Sequence, residues 1–190
     1  MHGVLVHQRG RFRVALSGVF GRICVLLAFC LSASAASVRF AIIGDYGMDN
    51  SDELSVANLI RTNLQPQFIV TAGDNNYGTA SQIDDCIGKY YHAYIGSYHG
   101  GYGSGASSNR FFPAIGNHDY KSDGYSIHLN YFSLPGNERY YQVAAGPVAI
   151  FVCSSEVNEP DGISGTSLQA RTVSNWMARA TAPWRICDHP

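Results

Sequence analysis

Apolar residues along the chain fall into short runs closed by glycine, separated by stretches of helical spacing. Residues 38–44 (VRFAIIG) predict a buried strand ended by Gly44. Asn50 with Glu53 three residues on has the form of a capping box. A helix is expected from there to about Leu64, with Val56, Ala57, Ile60 and Leu64 on one face and Pro66 ending it. Residues 67–72 (QFIVTA) predict a second strand, closed by Gly73. Ser81 with Asp84 predicts a helix to about Ile95, and residues 96–109 read as a Gly/Ser/Tyr loop. Residues 110–115 (RFFPAI) predict a third strand, closed by Gly116. Strand, helix, strand, helix, strand implies a parallel sheet with crossover helices.

Beyond Gly116 the pattern changes. A short helix or turn is expected over residues 125–132. Residues 139–144 and 148–153 flank Gly146-Pro147 and predict an antiparallel pair. Thr166 with Gln169 predicts a capped helix to about Ala180, and residues 184–187 one more strand. With nothing after it to close the sheet, the domain is expected to be incomplete at its C-terminus.

Residues 1–35 read as an address rather than as fold. Arg11, Arg13 and Arg22 lead into the apolar run Ile23 to Leu31, and Ala33-Ser34-Ala35 offers the small residues of a cleavage site. The run is too short to span a bilayer, which needs ~20 apolar residues. The expectation is a signal peptide over 1–35, the N-terminal part of one domain over 36–190, and a secreted, periplasmic or extracellular location without a stable membrane span.

Charge then excludes one class of partner. Residues 1–36 carry four arginines and no acid, leaving nine basic and fourteen acidic residues in the body, about −5. With no Lys/Arg cluster, nucleic-acid binding is not expected. Of five cysteines, Cys24 and Cys30 fall in the signal, and Cys86, Cys153 and Cys187 remain. An odd count allows at most one internal disulfide, and no pair has zinc-site spacing. The sequence leaves the pairing and the oligomeric state open.

The candidate chemistry sits at the three glycine-closed strand ends. Gly44-Asp45-Tyr46-Gly47, Gly73-Asp74-Asn75-Asn76-Tyr77 and Gly116-Asn117-His118-Asp119 would lie side by side on the carboxyl edge of a parallel sheet, where such sheets bind ligands. They present oxygen donors and one imidazole, a set suited to hard or borderline cations. A phenolate at Tyr77 would favour ferric iron. Each piece alone is common: Gly-Asp is an ordinary turn, and a lone histidine is more often structural than functional. Three in order are not. Gly101-x-Gly103-x-x-Ala106 imitates a dinucleotide fingerprint but follows a helix, so it reads as loop. His92 and His99 read as loop residues and His128 as structural.

These blocks resemble those of the calcineurin-like metallophosphoesterases, and more narrowly the purple acid phosphatases: G-D-x-G, G-D-x-x-Y, G-N-H-[DE], V-x-x-H and G-H-x-H. The first three are present in family order. Gly47 stands where wider members have a histidine, and Tyr77 is present, as in the purple phosphatases. Ile186-Cys187-Asp188-His189 matches the fourth block loosely, one residue short of the family spacing, and the fifth is absent. The resemblance implies a metallophosphoesterase-type layered β-sandwich flanked by helices and incomplete at the C-terminus. It implies a dinuclear centre of Fe(III) with Zn(II), Fe(II) or Mn(II), and hydrolysis of phosphate-ester small molecules by metal-hydroxide attack. Asp45, Asp74 and Tyr77 would hold the ferric ion. Asp74 would bridge to the second ion, held also by Asn117 and His189. His118 would be catalytic, and His118 and Asn117 would face the substrate. The missing block implies impaired activity. The alternatives are a non-catalytic fragment or degenerate phosphate-binding relative, and a secreted interaction module.

Overall fold

The computed structural model describes residues 37–120 and 125–190; the expected signal peptide lies outside them. β1 (Phe40–Ile43), β2 (Phe68–Thr71) and β3 (Phe111–Pro113) form a parallel sheet in the order β1-β2-β3. β4 (Tyr141–Ala145), β5 (Val148–Val152) and β6 (Trp184–Asp188) form a second sheet. There β4 and β5 are antiparallel across Gly146-Pro147, and β6 is parallel to β5. A parallel neighbour requires a crossover, which α4 (Leu168–Arg179) supplies.

Side-chain alternation stacks the layers. β5 sends Ile150 and Val152 into a core shared with Phe68, Val70, Phe111 and Phe112 of the first sheet, and sends Phe151 the other way, against Val173 of α4. Ala57, Ile60, Ile87 and Tyr91 join the shared core from the helices between the first three strands. β2 is buried along its whole length. The Tyr141 hydroxyl donates to Pro113 O at 2.9 Å and ties the two sheets together. The fold is thus a mixed α/β sandwich of two small sheets flanked by helices.

Several local expectations shift. α1 runs Ser51–Leu59 and continues as a wider π-helical turn over Ile60–Leu64. Along this segment Ala57 and Ile60 are buried while Val56 and Leu64 face solvent. β1 is an edge strand rather than a fully buried one, with Ile42 56% exposed. The helix expected from Ser81 starts instead at the Thr79–Gln82 capping box. It is then broken into 3₁₀, π and α turns, with α2 confined to Lys89–Tyr91. A short α3 spans Ser126–Tyr131. α4 is capped by Ser167, whose hydroxyl accepts from Ala170 N, and Gln169 bonds Ser154 instead.

Candidate metal centre

The three parallel strands end level with one another, and their following loops interlock through the backbone. Tyr77 N donates to Gly47 O at 2.7 Å, and Asp45 N to Gly73 O at 3.4 Å. Two glycines are required by this closeness. A β-carbon on Gly47 would overlap the carbonyl of Asn75, and one on Gly116 would overlap the amide and carboxylate of Asp74. Asp45 and Asp74 both hold left-handed backbone, with φ of 52° and 53°. Such conformations are uncommon outside glycine, and they concentrate at functional sites.

The result is a cluster of three oxygen-bearing side chains. The Tyr77 hydroxyl donates to Asp45 Oδ1 at 2.7 Å and lies 3.1 Å from Asp74 Oδ2. Asp74 Oδ1 accepts from the backbone amide of His118 at 2.8 Å. The imidazole of His118 lies over the Tyr77 ring with centroids 4.3 Å apart. Asp45 and His118 are exposed, and Asp74 and Tyr77 half-buried. Desolvation, and then the bonds to Asp45 and Asp74, hold the Tyr77 phenol far above its usual range, so it stays protonated between the carboxylates. Asp45 also lines a cleft of about 310 Å³ with Asn50, Asp52 and Glu53.

The remaining candidates are placed differently. Asn117 is exposed in the turn between Gly116 and His118. His189 is exposed, with Nδ1 3.0 Å from Pro190 O. It lines a separate cleft of about 370 Å³ with Cys153, Ser167, Gln169 and Val173 on the α4 side of the second sheet. Its neighbour Pro190 does come back to the site, since a β-carbon on Gly73 would meet Pro190. His128 is buried and neutral against Phe132.

Three further contributors stand beside the candidate residues, among them Asp119, which caps the turn after β3 by accepting from Gly116 N at 2.9 Å. Tyr46, Asn75 and Asp119 are buried directly behind the cluster. Their signal was available, because each stands next in sequence to a candidate site residue. Glu156, after β5, is raised by burial and by the field of Asp74.

Donor chemistry fits one hard cation. One oxygen each from Asp45 and Asp74 already stands within hydrogen-bond distance of the Tyr77 hydroxyl, which groups three oxygen donors of the kind a hard cation takes. Among the described residues no group of three or more His, Cys, Asp and Glu side chains gathers as a metal site.

The architecture is a mixed α/β sandwich of two small sheets. Among solved structures it is similar to the purple acid phosphatase PPD1 isolated from yellow lupin (Lupinus luteus) seeds, with a TM-score of 0.56 and 18% identity. The match covers 80% of this chain and 30% of that one, so the chain spans less than a third of the length of the protein it resembles. At this identity the likeness concerns the fold. No family model matches the chain, and no curated protein matches it. Among the described residues no helix is long and apolar enough to cross a membrane.

Proposed function

We propose that the chain is a metal-dependent phosphoesterase of the purple acid phosphatase type, acting on phosphate-ester small molecules. The observation that carries this is the meeting of Asp45, Asp74 and Tyr77 through one hydroxyl, on a fold like that of a purple acid phosphatase. The crowding at Gly47 supports the same subtype: no side chain fits where wider members carry a histidine, and Tyr77 supplies the donor from the next loop.

In this reading Asp45, Asp74 and Tyr77 would hold a ferric ion, and Asp74, Asn117 and His189 would hold the second. The bound metals would lower the pKa of a water and polarise the phosphoryl group. The chain's own residues bind and orient. Asp74 is steadied by the His118 amide, so its second oxygen is fixed toward Tyr77. The His118 ring, resting on Tyr77 and open to solvent, is placed to hydrogen-bond a phosphoryl oxygen or to protonate a leaving oxygen. The basic lead, apolar run and small-residue site of residues 1–35 support export as a secreted or periplasmic protein.

A second reading, phosphate or metal binding without turnover, draws on one specific observation. His189 lines a cleft on the other side of the second sheet, so the second ion is the less supported of the two. One experiment separates the readings. The purified chain is loaded with Fe(III) and Zn(II), its metal content is measured, and turnover of a chromogenic phosphomonoester is followed. Two metals with turnover abolished in Asp74→Ala supports the enzyme. One metal without turnover supports the binding protein, and no metal sinks both.

A further inference from the structure

Each of the three loops contributes a pair of consecutive residues that point opposite ways. Asp45, Asp74 and His118 face the surface cluster. Their neighbours Tyr46, Asn75 and Asp119 are buried beneath it, Asn75 fully and the other two to 6% and 5% exposure. The buried three are bonded to one another. The Tyr46 hydroxyl donates to Asn75 Oδ1 at 3.0 Å, and Thr71 donates to the same oxygen. Asn75 Nδ2 donates to Ala114 O and to Asp119 Oδ2, both at 2.7 Å.

Asp119 is the hub of this layer. Its Oδ1 accepts from Asn75 N at 2.9 Å and Asn76 N at 3.0 Å. Its Oδ2 accepts from Gly116 N at 2.9 Å and from the Asn75 side chain. Asn75 and Asn76 are the two residues between Asp74 and Tyr77. Gly116 immediately precedes Asn117 and His118. One carboxylate therefore grips both loops by their backbones. Among the described residues no cation is ion-paired with it, so a buried acid is maintained there on N–H donors alone, at a desolvation cost. It is too deeply buried to meet a substrate.

We propose that Asp119 is a positioning residue, which holds the Asp74–Tyr77 loop and the Asn117–His118 loop in register so that the oxygen cluster exists before any cation arrives. The inference rests on the metal-centre reading for its purpose, but its physical content is a property of the metal-free loops. The geometry also says what the amide isostere would do. Asparagine at 119 keeps one acceptor oxygen but turns an NH2 toward two N–H donors, so at least two of the hydrogen bonds are lost and donors face each other. Supporting hydrogen bonds of this kind typically change metal affinity by 10–100-fold when removed.

The test uses the full chain, metal-free and then titrated with Zn(II) and with Fe(III). Amide hydrogen exchange is compared between the parent, Asp119→Asn and Asp119→Ala. The expected result is a loss of protection of tenfold or more at Asn75, Asn76 and Gly116, with Val70 of β2 and Ile150 of β5 unchanged. Affinity for the added metal should fall by 10–100-fold in step. Sucrose at low temperature keeps a marginal variant folded, so the loop readout survives a general loss of stability. Unchanged protection at the three loop amides overturns the proposal, whatever happens to metal binding. Loss of metal with the loops still protected also overturns it, in favour of direct ligation. A parent chain that takes up no metal sinks the metal-centre reading alone, because the loop amides are read without metal.

Discussion

The Tyr77 hydroxyl reaches Asp45 Oδ1 at 2.7 Å, so a residue from the loop after β2 is bonded to one from the loop after β1, 32 positions away. This one bond depends on three separate features: parallel strands in register, glycines that let the loops close, and left-handed backbone at Asp45. It also sets the first expectation. In Tyr77→Phe the two carboxylates lose their shared donor and face each other. Metal-free stability should fall only modestly, on the order of 1 kcal/mol, because the site is partly open to solvent. Iron binding should weaken by tenfold or more, since one of three clustered donors is gone. Chemical denaturation and a metal titration check the two halves separately. Unchanged iron affinity would remove Tyr77 from the ligand set.

Glu53 gives a pH signature. Its Oε2 accepts from Met48 N and Asp49 N, but Oε1 is buried with no partner, and burial pushes the carboxyl up to about 7. A folded pKa above the unfolded value means that the protonated form is the one the fold favours. The stabilisation is present below the unfolded pKa, about 4.5, and is lost as pH rises through about 7. Glu53→Gln removes this titration. The stability difference between variant and parent should therefore move in the variant's favour by roughly 2–3 kcal/mol from pH 4 to pH 8. Urea denaturation of both proteins across that range measures it, and a flat difference would mean that Glu53 reaches water or a donor.

Much of this architecture was legible because it rests on local rules. Apolar runs of strand length ending in Gly44, Gly73 and Gly116 located the three parallel strands, and Gly146-Pro147 located the hairpin. Failures came where tertiary contacts overrode local spacing. Ser81 with Asp84 looked like a helix start, but the Asp84 carboxylate is engaged by the hydroxyls of Tyr98 and Tyr131 and by Gly101 N, which breaks the segment into short turns. Glu53 was read as half of a capping box, yet it bonds Met48 and Asp49 rather than Asn50 N. Site residues were recognisable from their motifs, whereas the layer under them was marked only by standing next to them in sequence and not by its bonding. Asn75 is an ordinary polar residue in the sequence, and its five-way bonding exists only once β3 and Asp119 are in place.

Arg139 clamps the loop after β5. Its Nε meets Glu159 Oε1 at 3.0 Å and its Nη2 meets Asp161 Oδ2 at 2.7 Å, with Glu159 almost wholly buried. Removing one partner of a buried pair leaves an uncompensated charge, which typically costs 3–5 kcal/mol. Arg139→Ala should therefore destabilise the protein by about 3 kcal/mol, far more than loss of the exposed Lys89–Asp49 pair. Comparing Arg139→Ala with Lys89→Ala by denaturant midpoint decides this. Equal small effects would mean that water reaches Glu159 once the guanidinium is gone.

The last expectation concerns the cysteines. Cys86 is buried in the main core, while Cys153 at the end of β5 and Cys187 on β6 bring their sulfurs to 3.9 Å. That leaves one feasible pairing of the three. Burial and the neighbouring Cys187 push the Cys153 thiol up to about 12, so the exposed Cys187 should be the one that attacks an oxidant. With oxidised glutathione, Cys187 thiolate forms a mixed disulfide and releases one glutathione thiolate. Cys153 then attacks that sulfur, closing the Cys153–Cys187 bond and releasing the second glutathione. The bond would close a loop spanning 34 positions that contains α4, worth about 4 kcal/mol in the chain-entropy account. It would also pin β6, whose outer edge carries no neighbouring strand in its three-stranded sheet. Peptide mapping after glutathione treatment should find the Cys153–Cys187 link with Cys86 still reduced, and thermal unfolding should shift upward by on the order of 10 °C relative to Cys187→Ser. A stable mixed disulfide on Cys187 with no internal bond would show that the two strands cannot bring the sulfurs the remaining distance, and the pair would then be two independent thiols.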